Sequence, residues 1–391
     1  MQNFGCLFFS KVIIFVSSMK FSHIYIHFPF CLSKCPYCDF YSVSGLNKDA
    51  FSDYISRLIS EIGLYRGMTS NKVKSLYFGG GTPSLLTSEE IEKIMQMFSF
   101  DEDAEITVEV NPATADEDKL KAFFKTGINR ISLGVQSFIN RDLRVLGRKH
   151  SAEDVYRTFR ILRSAGYDNI SIDLMIAVPG QTPASIIYNA METALLDPEH
   201  VSVYILTYYE ETLFYKMLES GRIAKTDDDV ECEYFDLMSE ILCRKGYHRY
   251  EVSNFSKSGM NSQHNLNVWN FGNYLGFGPS AYSCKSGIRK KNPDELVEYL
   301  RNIDEGRIHN FRPSGENSAE TKKDFIMLGM RKTEGVDVRE YKKTFGTSIY
   351  DDYGGKIKEL ILKGLITADD RFLKVRENRM NILNSILCEI I

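Results

Sequence analysis

Short β-rich apolar runs alternate with amphipathic helical stretches from residue 22 to about residue 206. The apolar runs predict six strands, at residues 24–28, 75–78, 106–110, 130–135, 170–176 and 201–206. The stretches between them predict helices at residues 50–65, 88–98, 116–126, 152–165 and 183–196. Thr87, followed by Glu89 and Glu90, is typical of a helix start.

Six β-then-α units in order predict parallel strands joined by right-handed crossovers. Because a closed barrel of this kind has eight such units, we expect an incomplete (β/α)6, TIM-like barrel. It is an α/β fold whose open side could admit a large substrate. The functional site of such folds lies at the carboxyl ends of the strands.

The alternation ends after residue 206, and the remaining chain has a different character. Residues 227–245 predict a helix, and residues 247–283 are rich in aromatic residues, Gly and Asn. The last hundred residues are charged and helical, with a short strand predicted at 372–375. These changes predict an extension at 1–18, a barrel at 19–225 with a cysteine-containing loop at 31–38, a connecting region at 226–290 and a smaller α-rich C-terminal domain at 291–391.

Composition and charge narrow the class of protein. The 391 residues are 43% hydrophobic and 26% charged, which suits a globular protein with a sizeable core. A net charge of −4 gives no footprint for nucleic acid. The apolar run at residues 6–16 is too short, and too interrupted by Lys11, to span a bilayer. A start assigned in error upstream of Met19 explains this run most simply, and peripheral contact with a membrane is the alternative.

Cys31, Cys35 and Cys38 stand in a C-x3-C-x2-C spacing directly after the first predicted strand. A [4Fe–4S] cluster normally takes four Cys ligands, so three thiolates leave one iron open to an outside ligand. A structural zinc site would need a fourth ligand, for which His23 and His27 are nearest. A disulfide framework would need a higher density than eight Cys in 391 residues. The spacing therefore favours a cluster.

Reduced cysteines and an oxygen-sensitive cluster predict a cytoplasmic protein. The other five cysteines are expected to be buried thiols that pack as small hydrophobes: Cys6, Cys232, Cys243, Cys284 and Cys388.

Glycines and polar side chains follow the predicted strands where a site is expected. Residues 79–82, Gly-Gly-Gly-Thr, follow the second strand, and glycines let the backbone approach a ligand closely. No Gly-Lys-Ser/Thr follows, which argues against a phosphate loop. Glu109 ends the third strand, where a carboxylate can accept hydrogen bonds from a ribose diol. Comparable positions on later units are held by Gln136, Arg148 and Asp173. Alone each could be a capping or ion-pair residue, but their succession favours one shared site.

The chain resembles the radical S-adenosylmethionine (SAM) family of oxygen-independent coproporphyrinogen III dehydrogenases and the related HemW heme chaperones. The resemblance lies in the strings HFPFCLSKCPYCDF, YFGGGTPS, ISLGVQSF, LGRKH, NISIDLM and VPGQT, and continues in YEVSNF, HNLNVW and YLGFGPSAYS. It implies a [4Fe–4S] cluster held by Cys31, Cys35 and Cys38, whose open iron chelates SAM. The implied SAM contacts are Tyr25, Tyr37, Gly80, Gly81, Thr82, Glu109, Gln136, Arg148 and Asp173, with Tyr37 beside the adenine.

Two branches of this family differ in function, and two features favour the chaperone branch. The dehydrogenases carry a further cysteine after the third ligand, where this chain has Asp39-Phe40. They also have a longer segment before the cluster than the 30 residues that precede Cys31 here. Ile176-Ala177 replaces the family's usual Tyr-Gly, so some contact on the substrate side is expected to differ.

A third feature is the histidine segment at residues 264–269. The chaperone branch carries H-N-x-x-Y-W, and this chain has the same pattern with Val268 in place of Tyr. The resemblance implies His264 as the heme contact, since imidazole is a common axial ligand of heme iron. His150 and His248 are the alternatives.

The resulting interpretation is a heme chaperone that binds SAM and heme and hands heme to an acceptor such as a respiratory protein. The alternative is an active dehydrogenase, which converts two propionates of coproporphyrinogen to vinyl groups with loss of CO2. The sequence leaves open whether SAM is cleaved, which protein accepts heme and whether the chain forms a homodimer.

Overall fold

The computed structural model describes residues 20–45, 48–112, 114–311 and 318–391. The predicted extension at 1–18 lies outside these residues. The strands are β1 His23–Phe28, β2 Phe30–Cys31, β3 Val43–Ser44, β4 Val73–Gly80, β5 Phe100–Val110, β6 Arg130–Gln136, β7 Ile170–Ile176, β8 His200–Ile205, β9 His248–Arg249, β10 Asn254–Ser256, β11 Leu275–Phe277, β12 Tyr282–Lys285, β13 Ile288–Lys291, β14 Val336–Asp337, β15 Ile366–Ala368 and β16 Phe372–Val375.

The helices follow the predicted order, with two 3₁₀ turns at Pro83–Leu85 and Glu377–Ile382. They are α1 Lys48–Leu64, α2 Ser88–Met95, α3 Glu117–Lys125, α4 Asn140–Val145, α5 Ala152–Ala165, α6 Pro183–Leu196, α7 Leu213–Glu219, α8 Asp228–Arg244, α9 Gln263–Trp269, α10 Leu296–Asp304, α11 Ser318–Gly329, α12 Val338–Phe345, α13 Ile349–Leu362 and α14 Leu383–Ile390. Thr87 and Glu90 form the capping box that starts α2. None of the helices in the described part of the chain has both the length and the apolar character that a bilayer crossing requires.

Nine strands form the main sheet, in the order β11-β1-β4-β5-β6-β7-β8-β10-β9. The six predicted strands are β1 and β4 to β8, which lie side by side in chain order and pair in parallel. The two outer strands, β11 and β9, do not pair with each other. The prediction of an incomplete barrel is confirmed.

Three short strands of this sheet were not predicted. Strand β11 pairs in parallel with β1, and β10 and β9 add antiparallel strands beside β8. Each is only two or three residues long, and the sequence around them is rich in Gly, Asn and aromatic residues. Such short segments have no periodicity of their own, and their pairing depends on the strands already present.

The alternation of side chains along each strand separates a packed face from a polar interior. On β1, Ile24, Ile26 and Phe28 are fully buried in the main hydrophobic core. The two residues between them, Tyr25 and His27, lie on the opposite face, where they hydrogen-bond to each other and the Tyr25 ring stacks on Tyr77 of β4. The barrel interior is therefore built from polar and aromatic side chains.

A second hydrophobic core lies in the C-terminal part of the chain. It begins at Ile326 and is formed by helices α11 to α14 with the small sheet β14-β16-β15. Helix α10 belongs to the first core instead, because Tyr299 and Ile303 pack there. The domain boundaries given above stay a prediction, although the first core continues past residue 291.

Candidate functional site

The cysteine loop follows β1 and is held by backbone hydrogen bonds. Cys31 ends β2, and the Cys38 amide donates to the Cys35 carbonyl at 3.1 Å. The Pro36 carbonyl accepts a hydrogen bond from the Phe214 amide of α7 at 2.9 Å. The three thiols are free and half-buried. The loop is therefore fixed both within itself and against the segment that follows β8.

The chemistry of these three thiols fits an iron–sulfur cluster. Burial raises the pKa of the Cys38 thiol to about 11. Burial also raises the pKa of Cys31, and a hydrogen bond from Thr82 acts in the opposite direction. Among the described residues, no three His, Cys, Asp or Glu side chains converge closely enough to hold a single metal ion.

The glycine motif at the end of β4 lies against the strand that leads to the cysteines. The Gly81 amide donates to the Phe28 carbonyl at 2.7 Å, and the Thr82 amide donates to the Phe30 carbonyl at 2.8 Å. A Cβ atom on Gly81 would stand 2.6 Å from the Phe30 carbonyl oxygen. Gly80 has a φ of +109°, which L side chains rarely adopt. Both positions therefore require glycine, and they bring backbone amides close to the cysteine loop.

Two carboxylates lie on the interior face of the barrel. Glu109 accepts hydrogen bonds from the Tyr77 hydroxyl at 3.0 Å and the Gly80 amide at 3.2 Å. Burial raises the pKa of Glu109 to about 7, and the negative charge of Asp173 adds to the rise. Asp173 accepts a hydrogen bond from the Ser132 hydroxyl at 2.8 Å. Near neutral pH Glu109 can therefore accept or donate a hydrogen bond, which suits recognition of a diol.

Tyr25 lies in β1, the strand before the cysteines, and its side chain is beside the two interior carboxylates. Its ring stacks on Tyr77 with centroids 6.1 Å apart. Nε2 of His27 donates to the Tyr41 carbonyl at 2.9 Å, so its Nδ1 accepts from the Tyr25 hydroxyl at 3.1 Å. The phenol is therefore held in place beside the interior carboxylates.

Gln136, Arg148 and Tyr37 complete the predicted set. Gln136 ends β6 with a φ of +66°, a left-handed conformation that is uncommon for a residue with a side chain. Arg148 donates from Nη2 to the Gly134 carbonyl at 2.9 Å. Tyr37 packs its ring against Phe214, with centroids 6.2 Å apart.

The structure brings several of the predicted residues together near the cysteine loop, whereas Asp173 lies in the middle of β7. Thr82 contacts Cys31, Arg148 contacts Cys35, and Gly80 contacts Glu109. A cavity beside the cysteine loop is lined by Cys35, Thr82, Arg148 and neighbouring residues. This cavity fits a ligand placed next to an iron–sulfur cluster.

Two residues of this site were not found from the sequence. Tyr77 has the same strand parity as Ser75 and Gly79, so the period of two along β4 could have placed it on the interior face. Phe214 lies in a short helix that no pattern connects with the cysteine loop, and only the folded chain shows that contact.

His264 lies at the other end of the barrel interior, among buried polar side chains. Its Nδ1 and the Ser75 hydroxyl form a hydrogen bond of 2.9 Å, and the imidazole is 6% exposed. Burial lowers the pKa of His264 to about 3. The first turn of α9 is capped by Glu105, which accepts from the His264 amide at 3.0 Å. Trp269, at the end of the same helix, lies under the Arg331 guanidinium at 4.8 Å.

The prediction that the remaining cysteines are buried is wrong for two of them. Cys284 is buried and Cys232 is half-buried, but Cys243 and Cys388 are exposed. Both exposed thiols lie near the carboxyl ends of helices, α8 and α14, where a small side chain can point to solvent without disturbing the core. Cys6 lies outside the described residues.

Comparisons with known proteins agree with this architecture. Residues 25–188 match the radical SAM superfamily, and residues 320–378 match the HemN C-terminal domain. The coproporphyrinogen III oxidase HemN from Escherichia coli, a radical SAM enzyme, has a similar structure with a TM-score of 0.79. It is 22% identical, and the match covers 95% of this chain and 90% of that one. The fold and the site thus define a radical SAM protein, whose cofactors are a [4Fe–4S] cluster and SAM.

Sequence relatives place the chain within that class. It is 34% identical to the heme chaperone HemW of Bacillus subtilis over 349 residues, which are 88% of this chain and 92% of the relative. It is 31% identical to the heme chaperone HemW of Escherichia coli over 377 residues, which are 93% and 96% of the two chains. The chain belongs to the HemW family.

Proposed function

We propose that this protein is a heme chaperone that binds heme and transfers it to an acceptor protein. The observation that carries the proposal is the identity of 34% to a protein named heme chaperone HemW over about nine-tenths of both chains. Asp39 and Phe40 after the third cysteine support it, since the dehydrogenase branch has a further cysteine there. We also propose a cytoplasmic location, because the three ligand cysteines are unpaired thiols.

We propose that Cys31, Cys35 and Cys38 hold the cluster and that the surrounding residues bind SAM. When bound, the cluster can supply an electron to SAM. Gly80 and Gly81 let the backbone after β4 pack directly against His27 and the carbonyls of Phe28 and Phe30, next to the cysteine loop. Glu109, whose pKa burial raises to about 7, is suited to a ribose diol.

The histidine that contacts heme is a separate part of the proposal. His264 stays the residue predicted from the sequence, but its burial means that α9 would have to move before heme iron could bind the ring. The structure describes all seven histidines, and His248 is the one with an exposed side chain. We propose His264 as the ligand if heme binding opens the base of the barrel, and His248 if it does not. The third candidate, His150, is 4% exposed and its Nε2 donates to the Val135 carbonyl at 3.1 Å.

Hemin titration of His264→Ala and His248→Ala separates these alternatives. We expect one variant to lose the heme absorbance of an imidazole-ligated iron while its cluster absorbance is unchanged. If both variants bind heme as the parent does, neither histidine is the ligand.

A parallel anaerobic assay tests the function itself. Reconstituted protein is incubated with SAM, a low-potential reductant and coproporphyrinogen III, beside an authentic dehydrogenase, and products are identified by mass. We expect no decarboxylated product from this chain, together with stoichiometric heme binding and transfer to a heme-free acceptor. Catalytic formation of the doubly decarboxylated product would replace the chaperone proposal with the dehydrogenase, whose fold this chain shares.

A further inference from the structure

Two of the three ligand sulfurs are hydrogen-bond acceptors of side chains outside the cysteine loop. The Thr82 hydroxyl donates to Cys31 Sγ at 3.3 Å, and Arg148 Nη1 donates to Cys35 Sγ at 3.8 Å. Thr82 follows β4 and Arg148 follows α4, so the two donors come from separate β/α units. Both side chains also line the cavity beside the loop.

The position of Thr82 is fixed by the backbone rather than by the sulfur. Its amide donates to the Phe30 carbonyl at 2.8 Å, one residue before Cys31. The side chain is only 8% exposed, so water does not compete freely for its hydroxyl. The hydroxyl is therefore presented to the Cys31 sulfur by the same contact that joins the glycine motif to the loop.

Arg148 is a cation placed beside the cysteines without a carboxylate partner among the described residues. Its Nη2 donates to the neutral Gly134 carbonyl at 2.9 Å, and its Nε is buried with no acceptor. A partly buried charge is costly unless a charge of the opposite sign lies near it. The groups that can supply that charge here are the cysteine sulfurs, once they are thiolates.

We propose that Thr82 and Arg148 raise the reduction potential of the cluster by donating hydrogen bonds to the thiolates of Cys31 and Cys35. Hydrogen bonds to the sulfurs and nearby charge are among the factors that set the potential of an iron–sulfur cluster. Uptake of one electron adds negative charge, which a donor or a cation beside the sulfur stabilises. Both residues thereby act on the cluster through its cysteine ligands and are positioning residues in this role, in addition to any contact with SAM.

The test is a redox titration of the reconstituted full chain without SAM, followed by the electron paramagnetic resonance signal of the reduced cluster. Dithionite is the reductant, and iron content is measured in parallel. Thr82→Val removes the hydroxyl and keeps the shape, Thr82→Ser keeps the hydroxyl, and Arg148→Met removes the charge. Thr107→Val is the matched control, because the Thr107 hydroxyl is buried in the barrel interior with no hydrogen-bond partner.

We expect Thr82→Val and Arg148→Met each to make reduction about tenfold less favourable, a shift of about 59 mV to more negative potential for a one-electron couple. Thr82→Ser and the control variant should keep the parent's potential. Unchanged potentials in Thr82→Val and Arg148→Met, at normal iron content, would overturn the proposal. If Arg148→Met fails to hold iron, the comparison of Thr82→Val with Thr82→Ser decides, because a purely steric role predicts no difference in potential between them.

Discussion

The contact between the glycine motif and the cysteine strand can be tested with one added methyl group. In Gly81→Ala the Cβ atom would stand 2.6 Å from the Phe30 carbonyl oxygen and 2.9 Å from that of Phe28, where ordinary contacts are at least 3.4 Å. Both neighbours are backbone atoms, so a rotamer change cannot relieve the overlap. The two segments must separate by roughly 0.8 Å, the difference between 3.4 and 2.6 Å.

The expected loss of stability follows from the contacts that this separation of the two segments disrupts. Overpacking of this kind destabilises by about 1–3 kcal/mol. It also stretches the hydrogen bonds that the Gly81 and Thr82 amides donate to the same two carbonyls. We therefore expect a lower melting temperature for the metal-free chain and fewer iron atoms per chain after reconstitution, because the displaced Phe30 backbone carries Cys31 with it.

A matched control is available in helix α1. Gly63 has an ordinary helical φ, and a Cβ atom added there would meet no other atom within 4 Å, so Gly63→Ala meets no obstacle. It should stabilise the chain by up to about 1 kcal/mol through helix propensity. Differential scanning calorimetry and iron analysis of both variants give the comparison. A Gly81→Ala chain with the parent's melting temperature and iron content would refute the steric reasoning.

Two further predictions concern stability. Ala177 has a φ of +60°, so Ala177→Gly should raise stability by about 1 kcal/mol, and a lower melting temperature for that variant would contradict the assigned backbone strain. Glu61 is buried, and burial raises its pKa to about 7 although Tyr299, Asn292 and the Gly278 amide donate to it. Because the folded chain holds this proton more tightly than the unfolded chain, stability falls as pH rises from about 4.5 to about 7, by about 3 kcal/mol for this group. Gln at position 61 cannot ionise, so the stability of Glu61→Gln relative to the parent should be higher at pH 8 than at pH 5, as measured by urea unfolding. If the stability difference between the two chains is the same at both pH values, the raised pKa is refuted.

The regular part of the fold could be predicted because each strand carries its own signal. Five of the six apolar runs predicted their strands within two residues, and Ile170–Ile176 was placed at its observed bounds. The exception is β5, which starts at Phe100, six residues before its predicted start. Pairing of β11 with β1 could not be predicted, since Leu275–Phe277 is three residues long and its partner lies about 250 residues earlier. Such a pairing depends on the free edge of an existing strand, and no local sequence pattern indicates which segment will pair with that edge.

The candidate site, like the fold, has parts that could be predicted from the sequence and parts that could not. Cysteine spacing and strand-end positions identified the residues that lie together, because carboxyl ends of parallel strands meet at one edge. The hydrogen bonds from Thr82 and Arg148 to the sulfurs could not be predicted, since they depend on distances between separate β/α units. The burial of His264 could not be predicted either, because a polar segment after a strand usually lies at the surface.

The histidine segment is connected physically to Glu109, one of the proposed SAM contacts, through the barrel interior. The His264 ring lies 5.3 Å from the Tyr77 ring, and the Tyr77 hydroxyl donates to Glu109. At its other end the same helix contacts Arg331, two residues after α11, through the Trp269 ring. Any movement of α9 that exposed His264 would therefore remove a packing partner of Tyr77 and disturb the hydrogen bond to Glu109. We therefore predict that heme contact at His264 weakens SAM binding, so that SAM and heme compete in the parent chain; SAM affinity unchanged by bound heme would contradict heme contact at His264.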